Sequence, residues 1–437
     1  MNLPLRAPPG GSVHAGAPPA STDPVRVMVV DDSVVVRGLI GRWIEEDGKY
    51  QCVASHRNGR LAVDDVERSN PDVVILDVEM PEMDGLAALP LLLSKKPGLV
   101  VIMASSLTRR NAEVSLKALS LGAADYVPKP DSNSGVTTSP EFRRELMLKI
   151  GALGQKAKAR TAASTPMPAP RAFTASQHAA PPAPSGFNRY APNSGMAPAS
   201  PAPHQPAARP AAPAPATAGH HPAPVHHHSG AGHGFTTRAY SSVAPRILAI
   251  GSSTGGPQAL AKLFAAIGPS IGNLPVVVTQ HMPPTFTAIL AEHLTKASGR
   301  LAAEGTHGER ILPGRIYVAP GGKHMVLAKS GTDVTIQLTD GPPVNFCKPA
   351  VDPLFDSVAA AFGAATLAVV LTGMGSDGAN GARVIAGIGG SIIAQDEETS
   401  VVWGMPGAVA HAGAASEVLP LEQIGPKVTR ILTGGRP

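Results

Sequence analysis

Two cysteines in 437 residues, Cys52 and Cys347, exclude a disulfide framework, and their separation matches no metal-binding spacing. Such sparing use of thiols fits a reducing compartment, and a cytoplasmic location is expected. Aromatic residues make up only 4% of the chain. Long apolar runs are missing too. The most apolar stretch, Val358–Met374, is dense in Ala and Gly and reads as a helix followed by a strand, so no membrane insertion is expected. Residues 1–24, rich in Pro, Ala and Gly, lack the apolar centre of a signal peptide. The sharpest shortage is of negative charge. Between Gly151 and Glu292 there is no Asp or Glu, so the basic excess behind the formal net charge of +5 is concentrated there. No basic recognition helix accompanies it, which argues against a nucleic-acid partner.

The length suggests two or three domains, and 43% hydrophobic residues suffice for packed cores. Gly (46) and Pro (45) are abundant. They crowd into Thr161–Pro245, where Pro, Ala, Ser, Gly and His dominate and little apolar surface can be buried. That stretch reads as a disordered linker. It holds eight of the 15 histidines, including His220-His221 and His226-His227-His228. With no cysteine or carboxylate beside them, they read as low complexity rather than a metal site. The expected division is a disordered tail at 1–24, a first domain at 25–145, a linker at 146–245 and a second domain at 246–437. One helix over Ser139–Arg160 would close the first domain.

Residues 25–130 alternate apolar strands with helically spaced segments. Strands at Arg26–Val30, Gln51–Ser55, Asp72–Leu76, Leu99–Met103 and Asp125–Val127 alternate with helices in the pattern of a doubly wound parallel α/β sheet. Asp31, Asp32, Asp77 and Lys129 all fall at strand ends, on one edge. Three carboxylates there repel unless a cation balances them, and Mg²⁺ suits such oxygen ligands. Asp77 could attack a phosphoryl group to give an aspartyl phosphate, with Ser105 and Lys129 binding its oxygens.

In the second domain, Arg246–Leu263 runs from an apolar strand through Gly251-Ser252-Ser253-Thr254-Gly255-Gly256 into a helix opened by Pro257. Gly251-x-Ser253-x-Gly255 fits a tight turn that exposes a serine hydroxyl. It also fits a glycine turn before a phosphate-binding helix. Two further strands, Pro275–Thr279 and Thr366–Leu371, run into His281 and towards Asp377. Parallel strands would bring Ser253, His281 and Asp377 together as nucleophile, base and orienting acid. Rival bases are His307, His324 and His411. Rival acids are Asp352, Asp356 and Asp396, the first two four apart on one helix face and expected to be solvated or paired with Lys348.

The motifs VVDDS, ILDVEMPEMDG, ASSLT and DYVPKP resemble a response-regulator receiver domain, with a flavodoxin-like fold. The resemblance implies phosphorylation of Asp77 by a histidine kinase, Mg²⁺ held by Asp31, Asp32, Asp77 and the carbonyl of Glu79, and movement of Ser105 and Tyr126 on phosphorylation. The motifs IGSSTGGPQAL, TQHMP, YVAPGGKHM and LTGMGSDGANG resemble the chemotaxis protein-glutamate methylesterases of CheB type. That implies hydrolysis of glutamate γ-methyl esters on methyl-accepting chemoreceptors, with release of methanol, and deamidation of receptor glutamines. Ser253, His281 and Asp377 would be the triad, backbone amides at Thr254 and Met374 would form the oxyanion hole, and the esterase would need no cofactor. The unphosphorylated receiver is expected to cover the Ser253 edge. The linker is much longer than the family's usual connection.

Overall fold

The computed structural model describes residues 23–130, 139–164 and 234–435. The tail up to residue 22 and the histidine-rich linker from 165 to 233 lie outside the described residues.

The first domain is a five-stranded sheet of order β2-β1-β3-β4-β5. Its strands are β1 (Val25–Val30), β2 (Tyr50–His56), β3 (Val73–Asp77), β4 (Val100–Ser106) and β5 (Asp125–Lys129). All pair in parallel. Helices α1 (Val34–Glu46), α2 (Gly59–Ser69), α3 (Gly85–Lys95) and α4 (Arg109–Ser120) make the crossovers. Their starts are set by polar caps: Ser33, Asn58, Asp84 and Thr108 each accept a bond from an amide three residues on. The strand order reverses between β1 and β3, and Asp31, Asp32 and Asp77 follow those two strands at the crevice this opens.

The last helix corrects one expected boundary. Helix α5 (Pro140–Ser164) runs well past residue 145. Phe142, Leu146, Ile150, Leu153 and Ala157, spaced three or four apart, form a buried stripe along it. The upstream limit of the second domain also shifts. Residues 234–245 are irregular but tied down, with Tyr240 Oη donating to Glu417 (2.7 Å) and Ser391 Oγ accepting from the Ser241 amide (2.8 Å).

The second domain carries a parallel seven-stranded sheet of order β14-β13-β12-β6-β7-β9-β8. Its strands are β6 (Ile247–Ser252), β7 (Val276–Gln280), β8 (Ala302–Glu304), β9 (Ile316–Val318), β12 (Thr366–Val370), β13 (Ser391–Gln395) and β14 (Glu417–Leu419). A hairpin forms a separate antiparallel pair, β10 (His324–Ser330) and β11 (Asp333–Thr339). Helices α6 (Gly256–Ile267), α7 (Phe286–Ser298), α8 (Val351–Phe362), α9 (Ala379–Gly387), α10 (Met405–His411) and α11 (Leu421–Leu432) complete the layers. The four residues Ile247–Ile250 of β6 are wholly buried, as befits a central strand covered on both faces. Val351, Leu354, Phe355 and Val358 form the buried face of α8, each stabilising the fold by about 1.5–3 kcal/mol. From β6 the chain first builds outward through β7 and β9, then crosses back to β12 on the other side. The switch point therefore lies at the carboxyl end of β6, where Ser253 sits.

The first domain packs on the two helices that leave this edge. Helix α4 lies against α6 and α7. The Tyr126 ring stacks on Phe286 with centroids 4.7 Å apart and planes within 6°. Gln258 donates to the Ala123 carbonyl (3.0 Å), and Arg109 pairs with Glu292 (2.7 Å).

Candidate active site

The Ser253 turn is held through its backbone. The Ser253 amide donates to Thr372 O (3.0 Å), and its carbonyl accepts from the Gln280 side chain (2.9 Å). Gly255 then takes φ +75°, a left-handed conformation that a side chain would strain. Gly373 runs so close that a Cβ there would lie 2.8 Å from the Ser253 Cβ, so the loop after β12 can approach the serine only with glycine at that position. Ser253 itself stays half-exposed.

His281 is placed next to it by register. Ser252 pairs with Gln280 across β6 and β7, and the His281 amide donates to Ser252 O (3.1 Å). Gln280, missed in the sequence, fastens the two turns together: it accepts from Ser252 Oγ (2.7 Å) and donates to the carbonyls of Ser253 and His281. Prolines 283 and 284 keep the segment after His281 out of a helix until Phe286.

Asp377 meets the histidine directly, with His281 Nε2 donating to Oδ2 at 2.7 Å. The carboxylate is 1% exposed. It also accepts from the amides of Val351 (2.6 Å), Asp352 (3.0 Å) and Gly378 (2.9 Å), and from Asn345 Nδ2 (3.3 Å). The first two are the opening amides of α8, so a helix N-terminus faces the negative charge. Burial pushes the Asp377 carboxyl upward, but the His281 bond and those amides outweigh it and hold the group below the usual carboxylate range. For His281, burial opposes the charged ring, while Asp377 and the neighbouring Cys347 favour it, and the net result is a pKa raised to about 10.

The rival residues have other duties. His324 is 3% exposed and spans the Pro342 carbonyl and the Ala350 amide. His307 accepts from the Leu338 amide, His411 bonds the Gly407 carbonyl, and Asp396 caps Thr399. Asp356 is exposed, but Asp352 departs from expectation: it is 5% exposed, caps the start of α9 at Gly381 N (2.8 Å) and bonds Asn345 and Asn380 rather than Lys348. Spacing on α8 identifies a shared face but not the helix that covers one end of it. Among the described residues, the amides of Thr254 and Met374 donate no hydrogen bond within the chain, which leaves both available to a ligand oxygen beside Ser253.

At the receiver edge Lys129 Nζ lies 2.6 Å from Asp31 and 2.7 Å from Asp77. Asp31, Asp32 and Asp77 each offer an oxygen within 4.8 Å of the others. This all-oxygen donor set fits a hard divalent cation. Asp32 and Glu79 line one cavity of about 460 Å³ beside them, together with Asp84 and Arg110. Burial first, and the charges of Asp31 and Asp32 next to it, raise the Asp77 pKa to about 6 despite Lys129. Ser105 is 1% exposed and its Oγ pairs with Ser115 Oγ (2.8 Å), while Tyr126 is buried against Phe286.

Comparison with known proteins matches residues 248–428 to the CheB methylesterase family and residues 27–138 to the response-regulator receiver domain. A protein-glutamate methylesterase/protein-glutamine glutaminase of a group 2 operon from Bradyrhizobium diazoefficiens is 54% identical over 413 residues, covering 94% of this chain and 95% of the relative. Its counterpart from Rhodopseudomonas palustris is 52% identical over 425 residues, covering 97% and 98%. Among solved structures, the catalytic domain of Thermotoga maritima CheB methylesterase is 41% identical and covers 43% of this chain and all of that one, with a TM-score of 0.42. The chain belongs to the protein-glutamate methylesterase/protein-glutamine glutaminase family, the CheB methylesterases that carry a response-regulator receiver domain.

Proposed function

We propose that the chain hydrolyses glutamate γ-methyl esters on methyl-accepting chemoreceptors, and deamidates receptor glutamines, under control of phosphorylation at Asp77. The His281–Asp377 bond beside Ser253 carries this reading. Ser253 Oγ attacks the ester carbonyl while His281 takes its proton. The tetrahedral oxyanion is met by the amides of Thr254 and Met374, where each donor is worth about a hundredfold or more in rate. His281 returns the proton to the departing methanol. Water then enters by the same route and frees the glutamate. A side-chain amide would be cleaved likewise, with ammonia leaving. A non-catalytic nucleotide- or phosphate-binding output domain would leave the buried His281–Asp377 pair without a role.

The base must be neutral to act, and its pKa is raised. The protonated form persists to higher pH, so activity is lost as pH falls through that raised value. The acidic limb of kcat/KM on a small γ-methyl ester should lie well above an ordinary imidazole value of about 6.5. Cys347→Ala should move the limb down by removing one group that favours the charged ring. A wild-type limb at or below the ordinary value would contradict this electrostatic account.

The phosphoryl donor is a chemotaxis histidine kinase, and the setting is cytoplasmic. No helix among the described residues is long and apolar enough to cross a membrane. Asp31, Asp32, Asp77 and the Glu79 carbonyl would hold Mg²⁺, which when bound neutralises the carboxylates and the incoming phosphoryl oxygens. Asp77 acts as a carboxylate, and a bound cation would favour that charged form against the burial and the Asp31 and Asp32 charges that raise its pKa. Lys129, which bridges Asp31 and Asp77, would take a phosphoryl oxygen. A small phosphodonor with Mg²⁺ should raise methanol release by the full chain by roughly 5–150-fold, the span of ordinary coupling energies. Asp77→Asn should lose the response. An equal response in that variant would remove Asp77 from the switch.

A further inference from the structure

A turn at the rim of the triad carries an unexplained side chain. Residues Val344 and Cys347 exchange backbone hydrogen bonds (3.1 and 2.9 Å) and close a tight turn over Asn345 and Phe346. Both intervening residues are left-handed, at φ +50° and +66°, although neither is glycine. Bulky residues hold that conformation only where the surroundings impose it, and such positions cluster at functional sites. The turn's neighbours say which site. Asn345 Nδ2 reaches Asp377 (3.3 Å) and Asp352 (3.4 Å), and Cys347 is among the groups that favour the charged His281 ring. Phe346 stands between them in the turn. At 78% exposure it is the most exposed large apolar side chain among the described residues. Folding gains nothing from an aromatic ring left in water beside a catalytic histidine, so its use lies in what docks there.

The receiver touches the same ring. The Arg144 guanidinium, on α5, lies 3.3 Å from the Phe346 centroid, well inside the range of a cation–π contact. One face of the ring is therefore taken by the regulatory domain.

We propose that Phe346 is the docking side chain for the polypeptide that bears the γ-methyl ester, and that Arg144 competes with that polypeptide for the ring. The proposal rests on the methylesterase reading. It adds a specificity contact that belongs to the protein substrate rather than to the ester group. The remote contact would show as receptor KM, because the reacting atoms sit at Ser253 and not at the turn.

The test uses the full chain and two substrates, a methylated chemoreceptor cytoplasmic fragment and a small peptide γ-methyl ester. Phe346→Gly and Phe346→Asn both tolerate the left-handed backbone, so loss of the ring is separated from loss of the turn. With phosphodonor and Mg²⁺ present, each should lower the ratio of receptor to small-ester kcat/KM at least tenfold, mainly through receptor KM. Phe346→Tyr should restore most of it. Without phosphodonor, Arg144→Ala should lower receptor KM severalfold. Equal losses on both substrates would show that the turn only positions Asn345 and Cys347, and would overturn the docking role. An Arg144→Ala chain with unchanged receptor KM would overturn the competition. If wild type cleaves neither ester, the methylesterase reading fails first, and both readings fall together.

Discussion

Ser253→Ala should abolish methanol release, with kcat reduced by about 10⁴-fold or more and the fold intact. Removing a nucleophile forecloses the acyl-enzyme route altogether, and only the slow direct attack of water remains. The fold should survive because the structural work at this residue is done by its backbone: the amide to Thr372 and the carbonyl to Gln280. Alanine keeps both, and it keeps the Cβ that packs beside Gly373. Methanol release from methylated receptor, with a thermal melt of the same preparation, checks the two halves together. A variant that melts normally and turns over at a near-normal rate would rule out Ser253 as nucleophile.

Asp377→Asn should be nearly as damaging to rate, and unlike the serine variant it should also cost stability. The carboxylate collects donors from His281, Val351, Asp352, Gly378 and Asn345. An acceptor-only group satisfies such a set. The amide of asparagine brings its own donors into a site that has no room for them, leaving at least one buried group unpaired at about 1–3 kcal/mol. The imidazole also loses the partner that fixes its tautomer, for which a fall of about 10⁴-fold in kcat is the expected scale. Steady-state kinetics and a denaturation curve measure both effects. His324→Ala is the control. Its ring joins the Pro342 carbonyl to the Ala350 amide, so stability should suffer there while turnover falls far less. The reverse pattern, with His324 essential and Asp377 dispensable, would exchange their roles.

What the sequence disclosed about the site followed from one regularity. An apolar strand that ends abruptly in polar residues delivers them to a sheet edge, and Ser253, His281 and Asp377 each follow such a strand, as Asp31, Asp32 and Asp77 do in the receiver. Parallel pairing then does the assembly, as the Ser252–Gln280 register shows. The supporting residues were not legible because their partners are distant in the chain. Gln280 bonds Ser252, 28 positions away. Asp352 looked like one of two acids on a wetted helix face until α9 was found against it. Asn345, Phe346 and Cys347 lie in a turn with no periodicity, and only the positive φ values mark it. Helix α5, by contrast, was legible: it was expected over Ser139–Arg160 and runs from Pro140 to Ser164.

The way Asp377 is held has a consequence for ionic strength. Its charge is met mainly by backbone amides and an imidazole in a pocket that is closed to solvent, where dissolved ions cannot intrude. The Arg109–Glu292 pair between receiver and esterase domain is about half exposed on both sides, and salt screens such pairs over roughly 8–10 Å at physiological concentrations. A change in ionic strength therefore bears on the grip between the two domains and leaves the electrostatics of the His281–Asp377 pair as they were.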